Sequence, residues 1–433
     1  MSVRTVQLPY GKTSVEVRIP EASLVGVYSP RDAAPVSDVR EEIRRALAAP
    51  IGALPLREQL RGRKNVVFVA DDNTRLTPTD ILLPILLDEC NAAGVPDAAV
   101  RVIIALGTHR FMTKDEILAK FGAETLRRVP VTNHPYKDKA AFVDLGTTAN
   151  GGRILINRAV VEADFKMGIG SIVPHHIPGY AGGAKIIQPG VSGEETTAYT
   201  HLLSVRAPRS YLGVLENPVR EELDAMARKV GMNTILNTVL NRHGQVVRAF
   251  FGDVVEAFRA GVARSREIYD CPIPEEADIV LSSSHPCDLE FWQAHKTLYP
   301  SDLAVKAGGI VIVVTPCYEG VAQTHGNMLE MTPYDSRRLR EMIAAGQLHD
   351  EDEVGAALAI AWAQVREREE VWIVSDGICP DEAAKLGFRH FAAVQEALDA
   401  ALAQKGPGAR VTVLTHAPDM LPRIASRSES PLP

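Results

Sequence analysis

Two consecutive strand–loop–helix units in the first third of the chain constrain its fold more than any other feature. Residues 65–72, Asn-Val-Val-Phe-Val-Ala-Asp-Asp, form a short apolar run rich in β-branched side chains that ends in two carboxylates. This is the pattern of a buried parallel strand running into a functional loop. After Asn73-Thr74-Arg75-Leu76, the run Thr77-Pro78-Thr79-Asp80 predicts a helix start, with Thr77 as cap, Pro78 in the first position and Asp80 completing a reciprocal cap. The helix over Ile81–Ala93 is expected to kink at Pro84 and stop at Gly94. A second unit repeats the plan: a strand over 99–106, the loop Gly107-Thr108-His109-Arg110, and a helix capped by Thr113 and ended by Gly122. Successive units of this kind imply right-handed crossovers and a parallel sheet. They also place both loops at the carboxyl ends of strands, where open α/β sheets bind ligands.

Further strands are expected over 129–132, 141–146, 153–157 and 164–169, and a hairpin over 232–241 and 245–251. Ser192-Gly193-Glu194-Glu195 reads as a capping box opening a helix that carries His201, and Asn217-Pro218 opens another that Gly231 ends. A proline-bearing stretch near Tyr269–Ala277 separates this set from a second one, with strands over 277–281, 309–314, 370–374 and 410–414 and helices over 351–368 and 391–404. The expected fold class is therefore α/β with two domains, each a largely parallel sheet flanked by helices, and an active site in the cleft between them. The boundaries read as 1–270, a cofactor-binding and catalytic domain; 271–276, a linker; 277–416, a Rossmann-like domain; and 417–433, a Pro- and Ser-rich tail that frays.

A length of 433 residues suits two domains, and 46% hydrophobic with 23% charged residues is ordinary globular composition. The net charge of −7 argues against nucleic acid or an anionic membrane as partner. Cys90, Cys271, Cys287, Cys317 and Cys379 include no CxxC pair and read as reduced thiols, so the protein is expected in the cytoplasm. The start Met1-Ser2-Val3-Arg4 lacks a signal-peptide apolar run, and no segment has the roughly 18 apolar residues that span a bilayer.

The stretch from Pro174 to Gly190, PHHIPGYAGGAKIIQPG, is the most unusual in the chain. Its glycine density allows close backbone approach to a ligand and positive φ angles. It is not a phosphate-binding P-loop: counting from Gly179, Ala184 stands where the second glycine belongs and Ile186 follows the lysine. Nor is it a dinucleotide fingerprint, since Gly168 and Gly170 are followed by Val173 in the third glycine position. Lys185 by itself would be a solvated surface charge, but glycines and isoleucines around it favour a pocket, where desolvation makes an amine nucleophilic. His201 on a polar helix, His109 at a strand end and Arg75 in a loop each have ordinary explanations as an exposed or capping histidine, a structural histidine and a surface ion pair. Asp71 and Asp72 could bind a sugar hydroxyl or a metal, or cap the loop. Gln293 and Lys296 would share one helical face after Trp292.

Taken together, Asp71-Asp72-Asn73-Thr74-Arg75, Gly107-Thr108-His109-Arg110, Asn133-His134, Pro174-His175, Gly182-Gly183-Ala184-Lys185, His201 and Trp292-Gln293 with Lys296 resemble the nickel-dependent lactate racemase family. The spacings from His175 to Lys185 and from Lys185 to His201 match that family's pattern. The resemblance implies a nickel pincer nucleotide, a pyridinium mononucleotide with two thiocarboxyl groups and a carbon–nickel bond. It implies a thioamide tether at Lys185 and nickel ligation by His201. Asp72, Thr74, Gly107, Thr108 and Gly170 would hold the ribose and phosphate, while Arg75, Gln293, Lys296, Trp292 and Ile177 would meet the substrate. It further implies transient contact with cofactor-biosynthesis enzymes.

The implied reaction inverts a small 2-hydroxy acid by hydride transfer to and from the cofactor through a 2-keto acid. The hydroxyl proton leaves and returns on two faces, so two bases are needed; His109 and His175 are the matching pair, and an imidazole pKa near 6.5 suits both directions. Leu76 stands where the family has proline, Ala184 where a basic residue is common, and Trp292 where it has tyrosine; His176 and His295 add polar groups. An indole favours a larger side chain and extra imidazoles a second carboxylate as in malate, which leaves the particular 2-hydroxy acid open. The competing readings are a metal-dependent hydrolase built on His175 and His201, disfavoured because adjacent histidines on a strand point to opposite faces and no HExxH pair exists, and a non-catalytic nickel-nucleotide carrier.

Overall fold

The computed structural model of the chain describes residues 2–348 and 352–425. Two six-stranded sheets organise it. The first runs in the order Val246–Gly252, Thr234–Leu240, Phe165–Ser171, Val66–Asp71, Val100–Ala105, Val131–Asn133, parallel except for the antiparallel 234–252 hairpin. Alternate residues of its central strands feed opposite cores: Val66, Phe68 and Ala70 join one apolar cluster, Val67 and Val69 the other. Burial on both faces is why the 65–70 run is continuously apolar rather than alternating. Here the chain steps outward from Val66–Asp71 to the 100–105 and 131–133 strands, then returns to the other side of Val66–Asp71 with Phe165–Ser171. That reversal is the crevice where such sheets bind ligands.

The second sheet is parallel throughout, in the order Arg389–Phe391, Glu370–Val374, Val305–Val314, Ala277–Ser283, Val411–Leu414, Leu24–Tyr28. Its last strand comes from the N-terminal region, which the sequence reading assigned to the first unit. The reason is apolar burial. The hairpin Val3–Tyr10 with Thr13–Pro20 buries Val6, Leu8, Val17 and Ile19 in one cluster with Ile279, Leu281, Ile310 and Ile312 of this sheet, and the chain then runs on as an edge strand beside Val411–Leu414.

The stretch expected as a linker forms the strand Asp270–Ile273, paired in parallel with Leu421–Ile424. Residues 417–425, expected to fray, are thus ordered by backbone pairing; residues 426–433 of the expected tail lie outside the described residues. The helix expected from 351 runs Glu353–Arg366, buried on nearly all sides, and packs against the Glu194–Ser204 helix that carries His201. Residue 351 itself lies outside the described residues.

Three capping expectations changed. Thr77 does not cap: its hydroxyl donates to Asp71 Oδ2 at 2.5 Å, and the helix Thr79–Ala92 starts without a side-chain cap and continues through Pro84. Ser192 does not cap either, because its hydroxyl bonds to Ile187 O and Gln188 Oε1; Gly193 occupies the cap position. Thr113 does form its capping box with Glu116, but the helix resumes after Gly122, at φ 75°, and reaches Arg128. No described helix is long and apolar enough to cross a membrane.

Candidate active site

A pocket with about 1030 Å³ of empty space, part of it open to solvent, lies at the strand ends. From the first sheet's unit it receives Asp72, Thr74, Arg75, Gly107, Thr108, His109, Gly170, His175, Ile177, Lys185 and His201, and from the second Trp292, Gln293 and Lys296. All fourteen expected site residues therefore line one cavity. A larger groove at Tyr136, Lys139, Glu194 and Asp352 contains none of them.

His109 is fixed by a four-residue chain. Lys296 Nζ donates to Gln293 Oε1, so the Gln293 amide nitrogen is left to donate to His109 Nε2 at 3.0 Å. That bond makes Nε2 the unprotonated nitrogen, and Nδ1–H donates to Asp72 Oδ2 at 2.6 Å. Burial pushes the Asp72 carboxyl up, but the hydrogen bond from His109, the Thr74 hydroxyl at 2.6 Å and the nearby Arg75 outweigh it and hold the carboxyl well below its usual range. Both Asp72 oxygens are thus engaged by protein groups, a pairing with no trace in the local sequence pattern.

His175 is arranged the other way round. The backbone N–H of Ile177 donates to its Nδ1 at 3.2 Å, so the neutral ring carries its hydrogen on Nε2. Burial first, then the charges of Lys185, His176, Arg75 and Lys296, hold its pKa well below 6.5. The ring stacks on His176 at 4.7 Å, which stacks in turn on Tyr299 at 4.2 Å. The two candidate bases therefore stand in opposite tautomers in one pocket: His109 has a lone pair at Nε2, and His175 has a hydrogen there.

His201 donates Nδ1–H to the carbonyl of Thr197, one turn earlier, at 2.8 Å. Burial pushes its pKa down to about 3, so the ring is neutral with Nε2 free to act as a ligand, the orientation that second-sphere carbonyls give metal-binding histidines. Lys185 makes no side-chain hydrogen bond or ion pair among the described residues. Burial, then Arg75, Lys296 and Arg220, hold its amine well below the ordinary lysine range. Lys296 is pushed down to about 8 by burial and by Arg75.

The glycine-rich segment owes its composition to close packing within the protein. A Cβ on Gly190 would run into the Ile186 carbonyl, one on Gly179 into the Val214 carbonyl, and one on Gly183, at φ 59°, would stand 2.9 Å from the Phe258 ring. Arg220 holds the segment from behind, donating to the carbonyls of Pro178, Tyr180 and Gly182 while its guanidinium lies 4.2 Å over Phe258. Gly190 O also accepts the N–H of Gly107, which ties the segment to the His109 loop.

Other residues of the expected set do structural work. Asp71 takes Thr77 and an ion pair with Lys120 at 3.2 Å. His134 lies outside the pocket lining, donating to Ser192 O while accepting from Asn157; burial pushes it down to about 4. Arg110 bridges Glu116 and Glu319 across the two units. The sequence reading did not find His325, which stacks on Trp292 at 3.8 Å, bonds Thr108 Oγ1 at 3.0 Å and pairs with Asp352. Among the described residues no group of three His, Cys, Asp or Glu converges on a metal position.

A family model described as the lactate racemase N-terminal domain matches residues 10–213, and one described as the lactate racemase C-terminal domain matches residues 273–419. The chain is 32% identical over 321 residues to a lactate racemase of Thermoanaerobacterium thermosaccharolyticum, covering 73% of this chain and 75% of that protein. It is 27% identical over 417 residues to a lactate racemase of Lactiplantibacillus plantarum, covering 94% and 97%. The fold superposes on the lactate racemase apoprotein of T. thermosaccharolyticum with a TM-score of 0.85 at 27% identity, covering 97% of this chain and all of that one. A Thermotoga maritima protein, with TM-score 0.72 at 20% identity over 91% of this chain and all of that one, shares the fold. With both family models matched in order along most of its length, the chain belongs to the lactate racemase family and is an isomerase.

Proposed function

We propose that this chain racemises lactate or a close 2-hydroxy acid in the cleft between its two units, with the nickel pincer nucleotide of its family bound beside Lys185 and His201. The observation that carries the reading is that His109 and His175, in one pocket, meet donors on opposite ring nitrogens, His109 Nε2 facing the Gln293 amide and His175 Nδ1 the Ile177 N–H, an arrangement that favours opposite tautomers. Inverting a carbinol carbon moves the hydroxyl proton off one face and onto the other. It therefore needs a proton acceptor and a proton donor that exchange roles.

The residues fit the cofactor. His201 Nε2 is an unprotonated donor held by Thr197, and the Lys185 amine is desolvated, uncommitted and depressed in pKa, as a nucleophile for a tether must be. When bound, the cofactor supplies the electrophilic carbon that accepts hydride from the substrate. The chain's own part is to bind and to move a proton. Arg75 and Lys296 hold the substrate carboxylate. The substrate hydroxyl takes the place of the Gln293 amide at His109 Nε2 and gives up its proton there, and Asp72 stabilises the imidazolium. His175 Nε2 serves the other face. Trp292, braced by His325, closes the wall beside the substrate and excludes water.

Gly107, Thr108 and Gly170 are the proposed phosphate and ribose contacts, and Ile177 an apolar contact for the substrate. A cytoplasmic setting fits the five free cysteines, four of them buried. There the chain would meet the enzymes that make the cofactor.

Co-expression with cofactor-making enzymes tests the reading in two ways. Intact mass is expected to show a cofactor-sized increment that Lys185→Arg lacks, and chiral chromatography is expected to show lactate or another member of a 2-hydroxy acid panel converted to its mirror image. A nickel-loaded protein that leaves the whole panel optically unchanged refutes the proposal.

A further inference from the structure

The far end of the chain brings one more charge to the pocket. After the strand Val411–Leu414, a short turn, Ala417–Asp419, packs against both Pro174–His175 and His295–Thr297. It thus lies between the segments that carry His175 and Lys296. Asp419 lines a small cavity with Arg75, Cys287 and Tyr269; Arg75 and Thr74 also line the large pocket, so the Arg75 side chain is common to both spaces. The Asp419 carboxylate makes no side-chain hydrogen bond and no ion pair within 4 Å among the described residues.

Arg75 and Lys296 share the pocket with the Lys185 amine; both disfavour a charge on Lys185, and Arg75 disfavours one on Lys296. Asp72 offsets them on the His109 side. Asp419 is a further carboxyl near them: burial pushes its pKa up, while the charges of Arg75, Lys296 and His285 pull it down across a space of low dielectric, where separations beyond contact still count. Besides Asp419, the titratable groups that face Lys296 are Arg75, Asp72, Cys287, Lys185, His175 and His176, with His295 adjacent. Of these, Asp72 and Cys287 favour its charged form together with Asp419.

We propose that Asp419 is a positioning residue for the substrate-carboxylate clamp: from the back of the pocket it keeps the Arg75 guanidinium and the charged Lys296 ammonium in place without touching substrate. The proposal rests on the racemase reading for the identity of the anion. It assigns a part in binding to the end of the C-terminal domain, which is held in place by the pairing of Leu421–Ile424 with Asp270–Ile273.

The test compares nickel-loaded wild type, Asp419→Asn and Asp419→Glu, measuring L-lactate affinity by calorimetry and racemisation kinetics from pH 6 to 9.5. Asp419→Asn is expected to weaken lactate binding and raise KM about tenfold, to change kcat by less than about twofold, and to move the alkaline fall of kcat/KM to lower pH. Asp419→Glu, which keeps the charge, is expected to stay near wild type in all three. Asp419→Ser repeats the neutral test should the asparagine variant lose its fold. An unchanged Kd and alkaline limb in the neutral variants, a tighter Kd, or a fall in kcat alone overturns the positioning role. Wild type that binds lactate without racemising it refutes the racemase reading alone, since the Kd comparison still decides the role of Asp419.

Discussion

His109 Nδ1 lies 2.6 Å from Asp72 Oδ2, and this contact determines which nitrogen of the imidazole can accept a proton. Replacing the carboxylate by an amide of the same shape removes the acceptor that holds Nδ1–H and allows the other tautomer. Asp72→Asn is therefore expected to lower kcat by two to three orders of magnitude, within the range of roughly 10²–10⁴ for losing a positioned acid–base group. Steady-state racemisation, with circular dichroism to verify the fold, checks it. Less than a tenfold loss would remove Asp72 from the account.

Lys296 is expected to set an alkaline limit on activity. Burial and the Arg75 charge push its pKa down to about 8, so raising the pH past that value discharges the ammonium and weakens the hold on a carboxylate. A plot of kcat/KM against pH is expected to fall above about pH 8. In Lys296→Arg, whose side chain stays charged, activity is lower but the fall is displaced beyond pH 9.5.

His201 contributes the one protein nitrogen proposed to bind nickel. His201→Ala is expected to lower nickel retention after dialysis by at least the roughly 10–100-fold that altering outer-sphere partners alone produces. Elemental analysis reads the result directly, independent of turnover. Nickel retained at the wild-type level would exclude His201 as the ligand.

Gly190 tests what the glycines are for. If they served only to admit a ligand, Gly190→Ala would fold normally and bind cofactor poorly. Because a Cβ would collide with the Ile186 backbone and crowd Ala105, the substitution is expected to destabilise the apoprotein itself by roughly 1–3 kcal/mol, the usual cost of overpacking. The denaturant midpoint of the apoprotein measures it.

The sequence made the fold class readable where the signal is local. The apolar run ending in Asp71-Asp72, the Thr113 box and the Asn217-Pro218 start each carry their structure in a few adjacent residues. The partners of the site are not local. Asp72 meets His109 across 37 positions, and Thr108 meets His325 across 217; no periodicity or spacing announces such pairs. The same applies to the N-terminal hairpin, whose alternation shows that one face is buried but not against which sheet. Ser192 and Thr77 misled because a hydroxyl before a helix has other acceptors within reach, and here Gln188 and Asp71 claimed them. Asp72 to Arg75 and Gly107 to His109 reached one pocket because they follow the carboxyl ends of neighbouring parallel strands, whereas His201 reaches it from a helix and Lys185 from a short helical turn.

The central claim is that the imidazoles of His109 and His175 handle the hydroxyl proton while the carbon-bound hydrogen never reaches solvent. Racemisation of L-lactate by the nickel-loaded protein in D₂O, followed by mass spectrometry of both enantiomers, tests it most directly. The account predicts an equal mixture of enantiomers with protium retained at Cα. Deuterium at Cα of the product would contradict it, as would nickel-loaded protein that leaves L-lactate and the rest of the 2-hydroxy acid panel optically pure.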